Sequence, residues 1–274
     1  MIETKTQLIT SGDYQIHVTE AGEGQPLLML HGGGAGASAL SNFGGNLQAF
    51  AAHYRVLLPD FVGYGGSTMA KPDGERIAFY AKGIVDIMDA LEITGAHILG
   101  NSLGGAVAIW IGIHRPELVG RLVLMGPGIA MPTFAPFPTE GWKAMGEMYQ
   151  GEGPTKAKMR GLLETMVHDK SLITDELVDE RFASATDPKL LAAQPGPPSP
   201  ESPYRFMEKD IEQLNTPSLI LWGRDDRVTP YDSVFQFFGR MKQSELHVFS
   251  ECGHWVQTEQ RERFNRVVLD YLAR

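Results

Sequence analysis

The pentapeptide Gly100-Asn101-Ser102-Leu103-Gly104 constrains this chain more than any other stretch, because of what flanks it. Ala96-His97-Ile98-Leu99 before it is apolar and β-like, and Gly105-Ala106-Val107-Ala108-Ile109-Trp110-Ile111 after it reads as a buried helix. A G-x-S-x-G between a strand and a helix is a turn so sharp that the serine backbone is strained and its hydroxyl stands clear. A Cβ at either flanking glycine would collide with the adjoining strand or helix. In a chain with 31 glycines the pentapeptide alone could arise by chance; its strand-turn-helix context makes Ser102 a candidate nucleophile in an α/β fold.

A serine hydroxyl needs a base, and in such a fold the partners follow in the order Ser, acid, His. Of the eight histidines, His17, His97 and His247 fall in strand-like runs, and His53, His114 and His168 in helical patterns or at their ends. Those six read as structural histidines with satisfied partners. His254 stands instead in a short loop after the strand-like run 245–249, where an α/β sheet carries its chemistry, and is the expected base. The acid should follow the doubly buried run Pro217-Ser218-Leu219-Ile220-Leu221-Trp222, in Gly223-Arg224-Asp225-Asp226-Arg227-Val228. One aspartate would orient the imidazole and the other would cap the turn or the helix beginning near Pro230. Spacing does not choose between them. After the apolar strand Pro26–Leu30, the run His31-Gly32-Gly33-Gly34-Ala35-Gly36-Ala37 offers unobstructed N–H groups for an oxyanion, with the N–H of Leu103 as second donor. Such a donor contributes about 3 kcal/mol to the transition state. A phosphate cradle is disfavoured: no G-x-x-x-x-G-K-[ST] and no dinucleotide spacing follow.

The 274 residues suffice for one large α/β domain with an insertion. A net charge of −9 (24 basic against 33 acidic residues) argues against a nucleic-acid surface. Met1-Ile2-Glu3-Thr4-Lys5-Thr6-Gln7 has no apolar signal core, and no apolar run approaches a membrane span. The single cysteine, Cys252, excludes an intramolecular disulfide, fits the cytoplasm, and is expected to be a buried packing residue. No cluster with metal-ligand spacing is visible, and no metal or organic cofactor is expected.

Strand-like runs at 14–19, 27–30, 56–58, 96–99, 122–124, 219–221 and 245–249 predict a mainly parallel sheet whose first strands are antiparallel. Helical patterns cover 45–53, 76–91, 104–114, 233–240 and 259–272. From about 131 to 213 there are helical stretches and proline clusters but no buried strand. Gly196-Pro197-Pro198-Ser199-Pro200-Glu201-Ser202-Pro203 reads as a loop or lid segment. The expected organisation is a core of residues 1–130 and 213–274 and a helical cap of residues 131–212 between the serine and its acid.

These residues resemble the α/β-hydrolase superfamily along the full chain, and within it the meta-cleavage product hydrolases, the carbon–carbon bond hydrolases of bacterial aromatic-ring degradation. The resemblance rests on His31-Gly32-Gly33-Gly34-Ala35-Gly36-Ala37 with Ser41-Asn42, Gly100-Asn101-Ser102-Leu103-Gly104-Gly105 and Leu124-Met125-Gly126-Pro127-Gly128. It extends to Ser171-Leu172-Ile173-Thr174 with Arg181, Trp222-Gly223-Arg224-Asp225-Asp226-Arg227, and Leu246-His247-Val248-Phe249-Ser250 with Cys252-Gly253-His254-Trp255. It implies an eight-stranded, mainly parallel sheet flanked by helices, a cap inserted after strand 6, and Asp226 as the acid. It further implies oxyanion donors at Gly33 and Leu103, and Arg181 on a substrate carboxylate. Gly32, Asn42, Asn101 and Trp255 would surround the 2-oxo end, with Val228 beside the distal substituent. Ala35 stands where some members have proline, and Leu103 where several have methionine. The activity implied is hydrolysis of a 2-hydroxy-6-oxohexa-2,4-dienoate by a homodimer or higher homo-oligomer, through an acyl-enzyme or by direct attack of water. The alternatives are a carboxylesterase, lactonase or thioesterase on the same scaffold, and a non-catalytic ligand receptor.

Overall fold

The apolar runs form the middle of a single sheet. The computed structural model describes residues 2–70, 72, 75–128, 133–192 and 209–274. Its strands are β1 (Lys5–Ser11), β2 (Tyr14–Ala21), β3 (Pro26–Leu30), β4 (Arg55–Pro59), β5 (Ala96–Asn101), β6 (Val119–Met125), β7 (Ser218–Gly223) and β8 (Ser244–Phe249). They pair in the order β1-β2-β4-β3-β5-β6-β7-β8 as one 8-stranded sheet. β2 runs antiparallel to both β1 and β4, and every pair beyond β4 is parallel. β1 escapes the sequence patterns because it is an edge strand exposed at most of its positions, so no apolar alternation marks it.

Strand side chains alternate between faces, and the packing follows. Leu28, Leu30, Ile98, Leu122, Leu124, Ile220 and Trp222 point to one side, where α2 (Arg76–Ala90), α3 (Leu103–His114) and, after the 3₁₀ turn at Tyr231–Ser233, α8 (Val234–Phe238) cover them. Leu27, Met29, Leu99, Val123, Met125, Leu219 and Leu221 point to the other, against α1 (Ala39–Ala51) and α10 (Arg261–Leu272). Helices on both faces are what a parallel sheet requires.

α1 starts six residues before the apolar pattern suggested. Ser38 and Ser41 cap each other reciprocally at its start, while Gly44 and Gly45 inside the helix disguise it in sequence. The capping places Asn42 in the first turn, next to the glycine loop. The C-terminal helix is broken at Gln260 into α9 (Val256–Glu259) and α10.

Between β6 and β7 the described residues form helices and no strand: α4 (Glu140–Glu147), α5 (Lys156–Met166), α6 (Asp175–Ala185) and the short α7 (Pro188–Ala192). Thr139, Thr155 and Thr174 cap the first three, each accepting a backbone N–H. This helical cap carries its own apolar cluster, including Met148, Met159, Leu162 and Met166, which reaches Val228 and Trp255 of the core loops. The proline-rich run 196–203 and the expected start of the cap at 131 lie outside the described residues.

Candidate active site

β5 delivers Ser102 at the middle of the sheet. Its backbone is strained, with φ 52° and ψ −113°, a conformation costing roughly 1–3 kcal/mol for a residue with a side chain. Glycine makes the turn feasible: a Cβ on Gly104 would press on the Leu30 carbonyl, and one on Gly100 on the backbone of Gly104. Ser102 N–H donates to Met125 O at 2.8 Å, Ala106 N–H to Ser102 O at 3.0 Å, and Gly104 N–H to His31 O at 3.1 Å.

His254 and Asp226 meet as a buried pair, with Thr229 Oγ1 in contact with both. Nδ1 of His254 lies 2.7 Å from Asp226 Oδ2, with the two side chains only 3% and 2% exposed. Asp226 Oδ1 accepts from the N–H groups of Val228 (2.7 Å) and Thr229 (2.9 Å), and Oδ2 from Thr229 Oγ1 (2.7 Å). One carboxylate therefore both holds the imidazole and caps the turn. The expectation that the other aspartate caps the turn is corrected: Asp225 Oδ2 accepts from Cys252 N–H (3.3 Å), bracing the neighbouring loop. The His254 ring lies at the end of β6, since a Cβ on Gly126 would be 3.1 Å from its Cε1, and its carbonyl is 3.5 Å from Asn101 Nδ2 of the serine turn. Neither Ser102 Oγ nor His254 Nε2 has a hydrogen-bond partner among the described residues.

The glycine loop keeps two donors free. Gly32 N–H donates to Asn42 Oδ1 (3.1 Å), and Gly104 N–H is taken by His31. The N–H groups of Gly33 and Leu103 have no acceptor among the described residues, and a Cβ on Gly33 would lie 3.1 Å from Leu103 Cδ2. Two unengaged N–H groups beside a strained hydroxyl form a place where a negative oxygen can rest. His31 and Tyr64 hold this loop, and the sequence pattern marked neither role. Phe61 N–H donates to His31 Nε2 (3.0 Å), so Nδ1 carries the proton and donates to Gly32 O (2.7 Å). Burial lowers the His31 pKa to about 4, keeping the ring neutral. Tyr64 Oη donates to Gly33 O at 3.0 Å.

Arg181 comes from α6 and is 2% exposed. Its guanidinium carbon lies 5.2 Å from the Trp255 ring centroid, and its Nε has no partner among the described residues. No carboxylate pairs with it among the described residues. Burial lowers its pKa to about 10. A buried cation without a counter-ion is expensive, and the indole face offsets only part of that cost. Gly36 (φ +69°) lets the oxyanion loop touch this helix, since a Cβ there would strike the Arg181 carbonyl.

The remaining expected residues divide. Asn42 faces the loop through Oδ1, and its Nδ2 has no partner among the described residues. Asn101 is fully buried, and its amide makes long contacts to Met125 O (3.4 Å) and His254 O (3.5 Å), bracing the serine turn against the His254 loop. Val228 packs under α4, its carbonyl accepting from Thr139 Oγ1 at 2.8 Å. Among the other histidines, His17 and His114 have the expected partners, Asp60 Oδ2 and Trp110 O. His97 departs from expectation: its Nδ1 is buried with no partner among the described residues. The backbone at Gly120 closes over that edge, and burial lowers the ring's pKa, favouring the neutral form. Cys252 is buried, as expected of a packing residue, and burial raises its thiol pKa.

No helix among the described residues is long and apolar enough to cross a membrane. Residues 25–260 match the family described as alpha/beta hydrolase fold. The chain is 39% identical over 269 residues to a 2-hydroxy-6-oxo-6-phenylhexa-2,4-dienoate hydrolase of Burkholderia cepacia, covering 95% of this chain and 92% of that protein. It is 38% identical over 273 residues to a 2-hydroxy-6-oxononadienedioate/2-hydroxy-6-oxononatrienedioate hydrolase of Paraburkholderia xenovorans (strain LB400), covering 96% and 92%. Among solved structures it is similar to the meta-cleavage product hydrolase CumD of Pseudomonas fluorescens IP01, with a TM-score of 0.84 and 34% identity over 99% of this chain and 98% of that one. Two free donors beside a strained serine, a buried His–Asp pair and a buried arginine over an indole thus stand in a fold shared almost end to end with such enzymes. The chain belongs to the α/β-hydrolase family and, within it, to the meta-cleavage product hydrolases, which cleave carbon–carbon bonds.

Proposed function

We propose that the protein hydrolyses the C5–C6 bond of a 2-hydroxy-6-oxohexa-2,4-dienoate formed by ring cleavage of an aromatic compound, with Ser102, His254 and Asp226 as its catalytic triad. The observation that carries this is Arg181, a buried guanidinium with no carboxylate partner among the described residues, held against Trp255 and the glycine loop. A substrate carboxylate supplies that counter-ion through a charge-assisted pair. Asn42 Nδ2 and Trp255 then flank the 2-oxo end, with Gly32 and Asn101 shaping the floor beneath it.

The dienol is not itself a leaving group. A proton must first move from the 2-hydroxyl to C5, a transfer that His254 assists, giving the 2,6-dioxo tautomer. Ser102 then attacks C6 while His254 takes its proton, and the oxyanion rests on the Gly33 and Leu103 N–H groups. The C5–C6 bond breaks with its electron pair delocalised through C4 and C3 onto the C2 oxygen, and protonation gives a 2-hydroxypenta-2,4-dienoate. Water, activated by His254, releases the carboxylic acid from Ser102. The C6 substituent lies against the apolar cap cluster by Val228, where Met166 Cε comes within 3.8 Å of the Cβ position of Gly34. Those surroundings favour an apolar substituent over a second carboxylate. We place the enzyme in the cytoplasm, as its lone buried thiol fits, and as a homodimer or higher homo-oligomer, which light scattering in solution tests.

Arg181→Gln decides between this reaction and an esterase on the same scaffold. Turnover of the dienoate should fall about tenfold to a hundredfold, since a charge-assisted pair is worth roughly 1.5–3 kcal/mol. Hydrolysis of a small neutral aryl ester should barely change. Equal losses on both substrates would confine Arg181 to holding the cap. Wild-type protein that hydrolyses the ester and ignores the dienoate would be a carboxylesterase.

A further inference from the structure

The backbone around the base is held from outside its own loop. Three successive N–H groups donate away from it: Gly253 to Glu259 Oε2 at 2.6 Å, and His254 and Trp255 both to the Met166 carbonyl, at 2.8 and 3.1 Å. Met166 is the last residue of α5, in the cap. Glu259 Oε1 turns the other way and accepts from the N–H groups of His168 (2.7 Å) and Asp169 (3.0 Å). One carboxylate therefore ties the base loop to the strap of residues 166–169. The acid loop ends on the same strap, since Arg227 Nη2 donates to the carbonyls of Glu164 and, at 2.9 Å, Val167. Asp225 Oδ2, which braces Cys252, lies 3.5 Å from His168 Nδ1. The junction has no slack: a Cβ on Gly253 would lie 2.9 Å from both His168 N and Met166 O.

We propose that Glu259 is a positioning residue for His254, acting through Gly253 and the strap 166–169, and that this end of α5 is a fixed part of the hydrolytic centre rather than of a movable lid. The proposal rests on His254 being the base. An imidazole that must serve both C5 and the serine hydroxyl tolerates little displacement, because a shift of about 1 Å can cost a hundredfold. A carboxylate accepting three N–H groups is a stronger fixture than neutral carbonyls would be.

The test is Glu259→Gln in the full chain, where an amide donor replaces one acceptor oxygen facing these N–H groups. Dienoate kcat should fall about tenfold to a hundredfold while KM stays within about threefold, since the carboxylate anchor is untouched. Hydrolysis of p-nitrophenyl acetate, which needs His254 but no anchor, should fall by the same factor. Both are measured at about 15 °C on protein shown by its melting curve to be folded. A lowered Tm with kcat unchanged on both substrates would make Glu259 merely structural and overturn the proposal. If Glu259→Gln does not fold, Gly253→Ala displaces the same loop and should give the same kcat-weighted loss; unchanged kcat there also overturns it. Wild-type protein inactive on the dienoate would sink the substrate assignment alone, and the ester would still decide the role of Glu259.

Discussion

Asp225 and Asp226 are neighbours of equal charge in one loop and both reach the loop of Cys252 and His254, yet they close different hydrogen bonds there. Spacing in the sequence could not separate them, because which way a side chain leaves a turn depends on the hydrogen bonds it closes. Asp226 closes those to Val228, Thr229 and His254, and Asp225 the one to Cys252. Asp226→Asn keeps an oxygen for the turn but turns an amide donor on His254 Nδ1, favouring the wrong tautomer. We expect kcat to fall by about a thousandfold or more, against less than about tenfold for Asp225→Asn; steady-state kinetics on the two variants checks this. The strand-end positions of Ser102, His254 and the glycine loop were legible, because the chemistry proposed for them demands a residue type at the end of a strand. Glu259 was not, since its partners at 168, 169 and 253 meet it only in the folded chain.

The sheet centre and α3 were legible for a related reason: doubly buried strands leave continuous apolar runs, and a helix buried on nearly every side leaves another. Elements specified by hydrogen bonds rather than burial were harder to see. β1 is exposed, and α1 is set by the reciprocal capping of Ser38 and Ser41. The junction of the oxyanion loop with α6 belongs to this second kind and gives a paired prediction. Gly36 and Gly12 both have positive φ, +69° and +57°, but only Gly36 has a neighbour, the Arg181 carbonyl, in the way of a Cβ. Gly12→Ala should cost stability of about 1–2 kcal/mol and leave turnover intact. Gly36→Ala should cost more than that and also lower kcat/KM for the dienoate by about tenfold, because it displaces the helix that carries the anchor. Denaturation curves and kinetics on both proteins test the pair.

Across the whole molecule, burial lowers the pKa values of His31, His97 and His247 alike. A histidine depressed by folding is neutral in the native state but protonates in the unfolded chain near pH 6.5. Stability is therefore fully present above that pH and drains away as pH falls toward the folded value, which for His31 is about 4. His31 alone should account for a loss on the order of 2–3 kcal/mol across that window. Protonated at both nitrogens, it would also turn a donor on the Phe61 N–H and release the oxyanion loop. Melting curves from pH 7 to pH 4 should show the fall, with a flatter profile for His31→Asn, which keeps a donor for Gly32 O and does not titrate. The strap at residues 166–169 also marks where the molecule can be re-equipped. Before that point the cap is bolted to the loops of Asp226 and His254; after it comes α6, which carries Arg181, the proposed carboxylate anchor. On the roles proposed above, a lineage that exchanged α6 would inherit a working hydrolytic engine with a new appetite, whereas one that exchanged the end of α5 would inherit neither.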